Sequence, residues 1–449
     1  MRNHSKIKRL KLILTIWLIL LSTLFFSTVI VFGAYQTDTK GGMYTVEYIP
    51  IDEIAYTASA INIKLRNTQN LKTITFDYDN GTNYETVKST GKPYVEFTNY
   101  TGTTPISSYV VETETATDVY FLCEEDIIAP TNCSNMFSSL TSVTNITFNN
   151  FNTSKVESMA YMFSNCSSLI GGSIYFDLLN FNTQNVTTMA GMFYDCSKIQ
   201  YIFWNDQLFN TTKVTTMVSM FEDCSSLKDL YFSGFKTSNV TDMSYMFNGC
   251  ASLLGDLDVS SFDTSKVTTM VSMFEGCSKI TGISLSNFNT SKVTDMTFMF
   301  LDCYSLTSLN LSNFNTSIVK SMSSMFDGCS SLSSLNLSSF NTSKVTNMLR
   351  MFEDCSSLTY LDLRNFDTAA VEYFNWMFYN CSKLEKIRVN NGTNWKSDKV
   401  RDGGASMFYG CSVLKGDRGC TIKNNQRINI NYAKDDVVIS PGLFSDSDD

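Results

Sequence analysis

The sequence predicts an α/β repeat fold, a solenoid with a parallel β-sheet on one face and short helices on the other, preceded by a small β-rich region. Three observations predict it. Cysteines recur at Cys166, Cys196, Cys224, Cys250, Cys277, Cys303, Cys329, Cys355, Cys381 and Cys411, most often 26 residues apart and otherwise 27, 28 or 30. Between them the apolar residues keep a fixed order, as in Leu306, Leu309, Leu311, Phe314, Val319, Met322, Met325 and Phe326 between Cys303 and Cys329. The residue before each of these cysteines is Gly, Asn or Asp, as at Asp302, Gly328, Asp354 and Asn380. A period of this size marks stacked units, none of which can bury its apolar edge alone.

Each coil divides into two halves. Leu309-x-Leu311 has the period-2 step of a strand with apolar residues facing in. Thr316-Ser317 follows as a helix N-cap signal, because a hydroxyl can accept the unpaired amides of a first turn. Val319, Met322, Met325 and Phe326 then fall on one face of a short helix. The Gly, Asn or Asp before the cysteine tolerates the left-handed conformation that ends helices. At a strand spacing of ~4.8 Å, about eleven coils would give a parallel sheet roughly 50 Å long.

The flanks read differently. Residues 1–34 hold a basic start (Arg2, Lys6, Lys8, Arg9, Lys11) and an uncharged apolar run from Leu12 to Ala34. That pattern is a signal peptide or, since ~20 apolar residues can span a bilayer, a signal anchor. Either one exports the repeats. Residues 35–121 are read as a small β-rich region, with strands at Thr73–Tyr78 and Tyr94–Phe97 and a hairpin turn at Asp79-Asn80-Gly81. Residues 122–414 are the repeats. They start imperfectly, with Leu140 where later coils have cysteine, and residues 415–449 form a C-terminal cap and acidic tail.

Composition narrows the chemistry. The formal net charge is -9, and the N-terminal segment holds five basic residues and no acids, so the remainder carries -14. Nucleic-acid phosphates would repel such a surface. The single histidine is His4, which leaves the repeats without the usual neutral-pH base or the commonest transition-metal ligand. Ser-His-Asp and Cys-His mechanisms are excluded, no cofactor is expected, and the protein is expected not to be an enzyme. A carboxylate-based glycosidase would need two acids converging in a cleft, and the spacing offers no such pair.

L-x-x-L-x-L followed by a helical half within 26 residues resembles the leucine-rich repeat. The fuller form, as in Ser339-Phe340-Asn341-Thr342-Ser343-Lys344-Val345 with its following Met-Phe and Cys, resembles the BspA-type leucine-rich-repeat surface proteins of bacteria. The resemblance spans residues from about 120 to 449, including a cap-like ending from Asn431 to Ser445. It implies an exported surface protein that mediates adhesion by binding a protein or glycan on a host or neighbouring cell. A structural coat protein without a specific ligand is the alternative. The chain departs from the family pattern in lacking a cysteine before Cys123 that could carry a lipid, and in lacking a cell-wall sorting signal after the cap.

Two sets of residues are candidates for special roles. The ten in-register cysteines are read as a reduced, buried structural ladder, because free cysteine packs as a small hydrophobe and no C-x-x-C spacing suggests metal. The outward strand positions Tyr231, Asp258, Ser284, Asn310, Asn336, Asp362 and Arg388 form a polar column that could bind a ligand. A consensus repeat also carries small polar residues there for solubility alone.

Overall fold

The computed structural model describes residues 57–79, 84–98, 105–172, 175–232, 234–389, 401, 406–415 and 444–445. All of these lie in the unit Tyr56–Asp449. The expected signal peptide or anchor of residues 1–34, His4, Cys420 and most of residues 415–449 lie outside the described residues. Among the described residues no helix is long and apolar enough to cross a membrane.

The chain before the repeats is built from β-branched and aromatic runs. Helix α1 (Ala58–Arg66) is capped by Thr57, whose hydroxyl accepts the Ala60 N–H at 3.1 Å. Strand β1 (Leu71–Tyr78), helix α2 (Tyr84–Thr90) and strands β2 (Lys92–Thr98), β3 (Pro105–Glu112) and β4 (Thr117–Cys123) follow. Strand β5 (Asn145–Phe148) belongs to the first coil, yet it completes a five-stranded sheet of order β2-β3-β4-β1-β5. Strand β4 therefore runs through the expected boundary at 121–122, and the N-terminal region adds its sheet directly to the repeats. Phe76 of β1 stacks on Phe121 at 4.7 Å and lies 5.8 Å from both Phe137 and Phe148. The expected hairpin at Asp79 is corrected. β1 pairs in parallel with β4 and β5, and the next described element after it is a helix.

The coils contain no helix among the described residues, which corrects the expected helical half. Met322 to Cys329 is instead a run of tight turns. The N–H groups of Met325, Asp327 and Cys329 bond three residues back, to Met322, Ser324 and Phe326. The alternate N–H groups of Met322, Ser324, Phe326 and Gly328 reach the next coil, to the carbonyls of Asn347, Leu349, Met351 and Glu353 at 2.7–3.0 Å. A helix would spend all of these amides within the coil; here half of them join neighbours. Two left-handed residues per coil make this possible, since a turn with positive φ at its third residue points its next amide outward. One is the expected residue before cysteine: φ is 58° at Asp302, 73° at Gly328, 56° at Asp354 and 56° at Asn380. The other lies four residues earlier and is unmarked by residue type: Tyr245, Ser272, Phe298, Ser324, Arg350 and Trp376 all have φ of 50–60°.

That second position stores strain, because a side chain in this region costs ~1–2 kcal/mol. Ser272 adds a buried hydroxyl with no hydrogen-bond partner. Ser272→Gly is therefore expected to raise stability by about 1 kcal/mol despite glycine's extra chain entropy. Urea unfolding of the two proteins checks it; equal or lower stability of the variant would remove the strain argument.

The continuous parallel sheet is also corrected. The strand half appears as short pieces: β6 (Phe176–Leu178) with β7 (Ile202–Trp204), β8 (Gly255–Leu257) with β9 (Ile280–Ile283), and β10 (Tyr360–Asp362) with β11 (Lys386–Arg388) and β12 (Phe444–Ser445). Leu309–Leu311 and Leu335–Leu337 are not in strand. Their outward neighbours are Ser and Asn, poor strand formers that favour turns. The unbroken ladder lies in the other half, where single parallel bridges join Ser158, Thr188, Thr216, Asp242, Thr269, Asp295, Ser321, Asn347 and Tyr373 in succession.

Thr316 does not cap its own coil. It is fully buried, its hydroxyl donates to the Asn341 carbonyl at 2.9 Å, and it accepts the Asn341 N–H at 2.7 Å. The same reciprocal pair links Thr211, Thr237, Thr264, Thr290 and Thr342 to the following coil, at 2.9–3.1 Å and 2.7–2.8 Å. The local turn is made by the residue before it: the Asn315 side chain accepts the Ser317 N–H at 3.1 Å.

Inside, the Met, Val, Leu and Phe columns are buried throughout. Phenylalanines from Phe137 to Phe408 stack coil on coil, with centroids 5.4–5.8 Å apart and planes within 10°. These spacings are in the favourable range for offset aromatic pairs.

Candidate functional site

The ten ladder cysteines are fully buried and free. Each thiol donates to the carbonyl of the Met-Phe phenylalanine in the preceding coil, as Cys329 does to Phe300 at 3.2 Å and Cys411 to Phe378 at 2.9 Å. That carbonyl already accepts an amide from its own coil, as Phe300 does from Cys303. The thiol thus occupies its second lone pair, while the sulfur fills the volume of a small apolar group. Burial pushes the Cys166 thiol up to about 12 and holds Cys303, Cys329 and Cys355 well above the ordinary range. Nucleophilic and metal-binding chemistry needs the thiolate, which these sites withhold. Among the described residues no group of three or more His, Cys, Asp or Glu side chains could hold a metal ion.

The outward column falls where the period-2 step places it. Tyr231, Asp258, Asn310 and Asn336 are exposed, while Ser284, Asp362 and Arg388 are half-buried, and each lies between two buried core residues. Geometry then divides the column by role. The Asp258 side chain accepts the Ser260 N–H at 2.9 Å, Asn310 that of Ser312 at 3.1 Å, Asn336 that of Ser338 at 3.0 Å, and Asp362 that of Arg364 at 3.2 Å. Asp and Asn make this bond because their short acceptors mimic a turn carbonyl. Their recurrence is therefore a device for leaving the strand half. Asp362 is further tied to Arg364 at 2.7 Å. Hydrogen bonds from Ser260 hold the Asp258 carboxyl below the usual range.

The turn uses one carboxylate oxygen of Asp258, as it does of Asp177 through the Leu179 N–H at 2.8 Å, while Tyr231 makes no such turn at all. Tyr231 is 62 % exposed, and Phe203, at the equivalent place one coil earlier, is 38 % exposed. Sequence reasoning missed Phe203 although it stands seven residues after Cys196, as Tyr231 stands seven after Cys224; the extra residues of this coil fall after it, between Trp204 and Phe209. Parallel pairing of Phe203 with Asp177 across β6 and β7 gives its register. The available signal was an aromatic between two core residues, Ile202 and Trp204. Tyr175, outward at the edge of β6, packs edge-on against Phe203 at 5.0 Å.

A family model described as "Mycoplasma protein of unknown function, DUF285" matches residues 131–253, 227–309 and 303–419. The three overlapping matches cover the repeats and well over half of the chain. No curated protein matches the chain, and no solved structure does.

Proposed function

The chain belongs to that family, and from this premise we propose that it is an exported leucine-rich-repeat solenoid of the BspA type. Its outward strand face binds a protein or glycan on another surface, and it catalyses nothing. The basic start and apolar run of residues 12–34 would deliver it to the cell surface, released or held by the same segment. The observation that carries the reading is the column from Phe203 through Tyr231 to Arg388. It is outward at every coil, rests on a buried core, and varies in chemical class from aromatic to acidic, amide and basic while its flanking positions stay apolar and buried. A rigid scaffold with variable outward side chains is how repeat proteins present a binding surface.

The test is an array of glycans and extracellular-matrix proteins probed with the full chain and with Ser284→Arg. That substitution places a bulky charge on the face without breaking a side-chain turn. Saturable binding weakened tenfold or more by Ser284→Arg is expected, together with surface localisation on cell fractionation. Self-assembly of the purified protein with no saturable ligand would favour the coat reading instead.

A further inference from the structure

We propose that the end of the strand face formed by Tyr175, Phe203 and Tyr231 with Asp177, Asp229 and Asp258 docks a lysine- or arginine-bearing segment of a partner protein. This rests on the strand-face reading and narrows it to one patch and one ligand chemistry. Tyr175, Phe203 and Tyr231 are 39 %, 38 % and 62 % exposed, three rings at one end of a column whose remaining members, from Asp258 to Arg388, are polar or charged. The pairing of Asp177 with Phe203 puts a carboxylate directly beside a ring. The Lys228 amide bonds to the Gln200 carbonyl at 3.0 Å, which sets Tyr231 beside Phe203. Asp229 stands two residues before Tyr231 in the same strand half and is exposed on the same side, so a second carboxylate adjoins the rings, and Asp258 follows at the equivalent place in the next coil.

Charge complementarity selects the partner. Ring faces are negative and attract ammonium or guanidinium groups. Carboxylates around them add to the field, which focuses cations at a low-dielectric surface. Asp177, Asp229 and Asp258 are all exposed, and the nearby base Lys228 is engaged with the Gln200 side chain at 2.7 Å. At the other end of the column the balance reverses, because Asp362 is paired with Arg364 and lies in the field of Arg388. A polyanion has no place to bind at the aromatic end. A cationic side chain lying on the rings meets both the π-faces and the carboxylates, with the aromatic anchors that dominate binding energy in protein interfaces.

The experiment measures binding of an alternating Lys-Gly peptide about a dozen residues long to the full chain by calorimetry, at low and high salt. An alternating Glu-Gly peptide and neutral gluco-oligosaccharides are run alongside. The basic peptide is expected to bind at low salt, to weaken at high salt, and to lose about tenfold in affinity in both Phe203→Ala and Tyr231→Ala. Asp258→Asn keeps the turn acceptor and is expected to cost a few-fold. The ring variants leave net charge untouched, so binding to a diffusely acidic surface would persist in them and would overturn the proposal. Oligosaccharide binding lost in the ring variants, with no peptide binding, would overturn it in favour of a glycan. If the peptide fails while an array ligand is still lost on Ser284→Arg, only the narrower inference falls.

Discussion

Thr316→Val is expected to destabilise the protein by about 2 kcal/mol, although it changes neither volume nor burial appreciably. Valine is nearly isosteric with threonine, so no cavity opens. What is lost is the hydroxyl that both donates to and accepts from Asn341. Each such bond contributes ~1 kcal/mol net, and more where the partner is left unsatisfied away from water. Thr316→Ser keeps the hydroxyl and should cost less than half as much. Urea unfolding gives the energy, and hydrogen exchange at the Asn341 amide gives the location, because in a stacked array the loss should be felt at one junction first. Unchanged protection of that amide in the valine variant would show that the bond carries no weight.

Asp327→Asn is expected to stabilise the protein by about 2 kcal/mol at pH 7.5 and to have almost no effect at pH 4. The Asp327 carboxyl is raised from the ordinary ~3.9 to about 7, first by burial and then by the charge of Glu353, with Asp302 and Asp354 adding and a hydrogen bond from Ser324 opposing. The folded state therefore holds a proton that the unfolded chain releases between about pH 4 and 7. With more protons bound in the folded state, stability falls as pH rises through that window. The contribution is complete below the unfolded value and is lost above the folded one. A shift of this size corresponds to roughly 4 kcal/mol at most, halved here because the site is partly open to solvent screening. Glu222, Asp223 and Glu353 are shifted in the same direction, so the wild-type protein should gain stability on mild acidification, and the asparagine variant should gain less. Thermal or urea unfolding across pH 4–7.5 decides it. A difference between the two proteins that fails to shrink toward pH 4 would rule the mechanism out.

The candidate face was half legible in the sequence. The step Leu230-Tyr231-Phe232 announces an outward residue between two core residues, and the structure places the whole column accordingly. Its chemistry was not legible. Asp258, Asn310 and Asn336 look like hydrogen-bonding groups offered to a ligand, yet each bends its own backbone. The position of Phe203 was legible too, seven residues after Cys196 as Tyr231 is after Cys224, but only the edge-on contact with Tyr175 marks it as part of an aromatic patch.

By itself the sequence determined the period, the identity of the buried columns, and the left-handed residue before each cysteine, because spacing and residue type carry that information locally. Only the tertiary structure decided where the amides go. Met322, Met325 and Phe326 have helical spacing, and an isolated segment with that pattern would bond within itself. Stacking offers Ser324 and Phe326 the carbonyls of Leu349 and Met351 instead, and every coil accepts the same exchange. The choice between helix and turn ladder is therefore made by the neighbouring coil, which no single repeat encodes. The same neighbour turns Thr316 from a cap into a staple and gives Cys329 a carbonyl to bond.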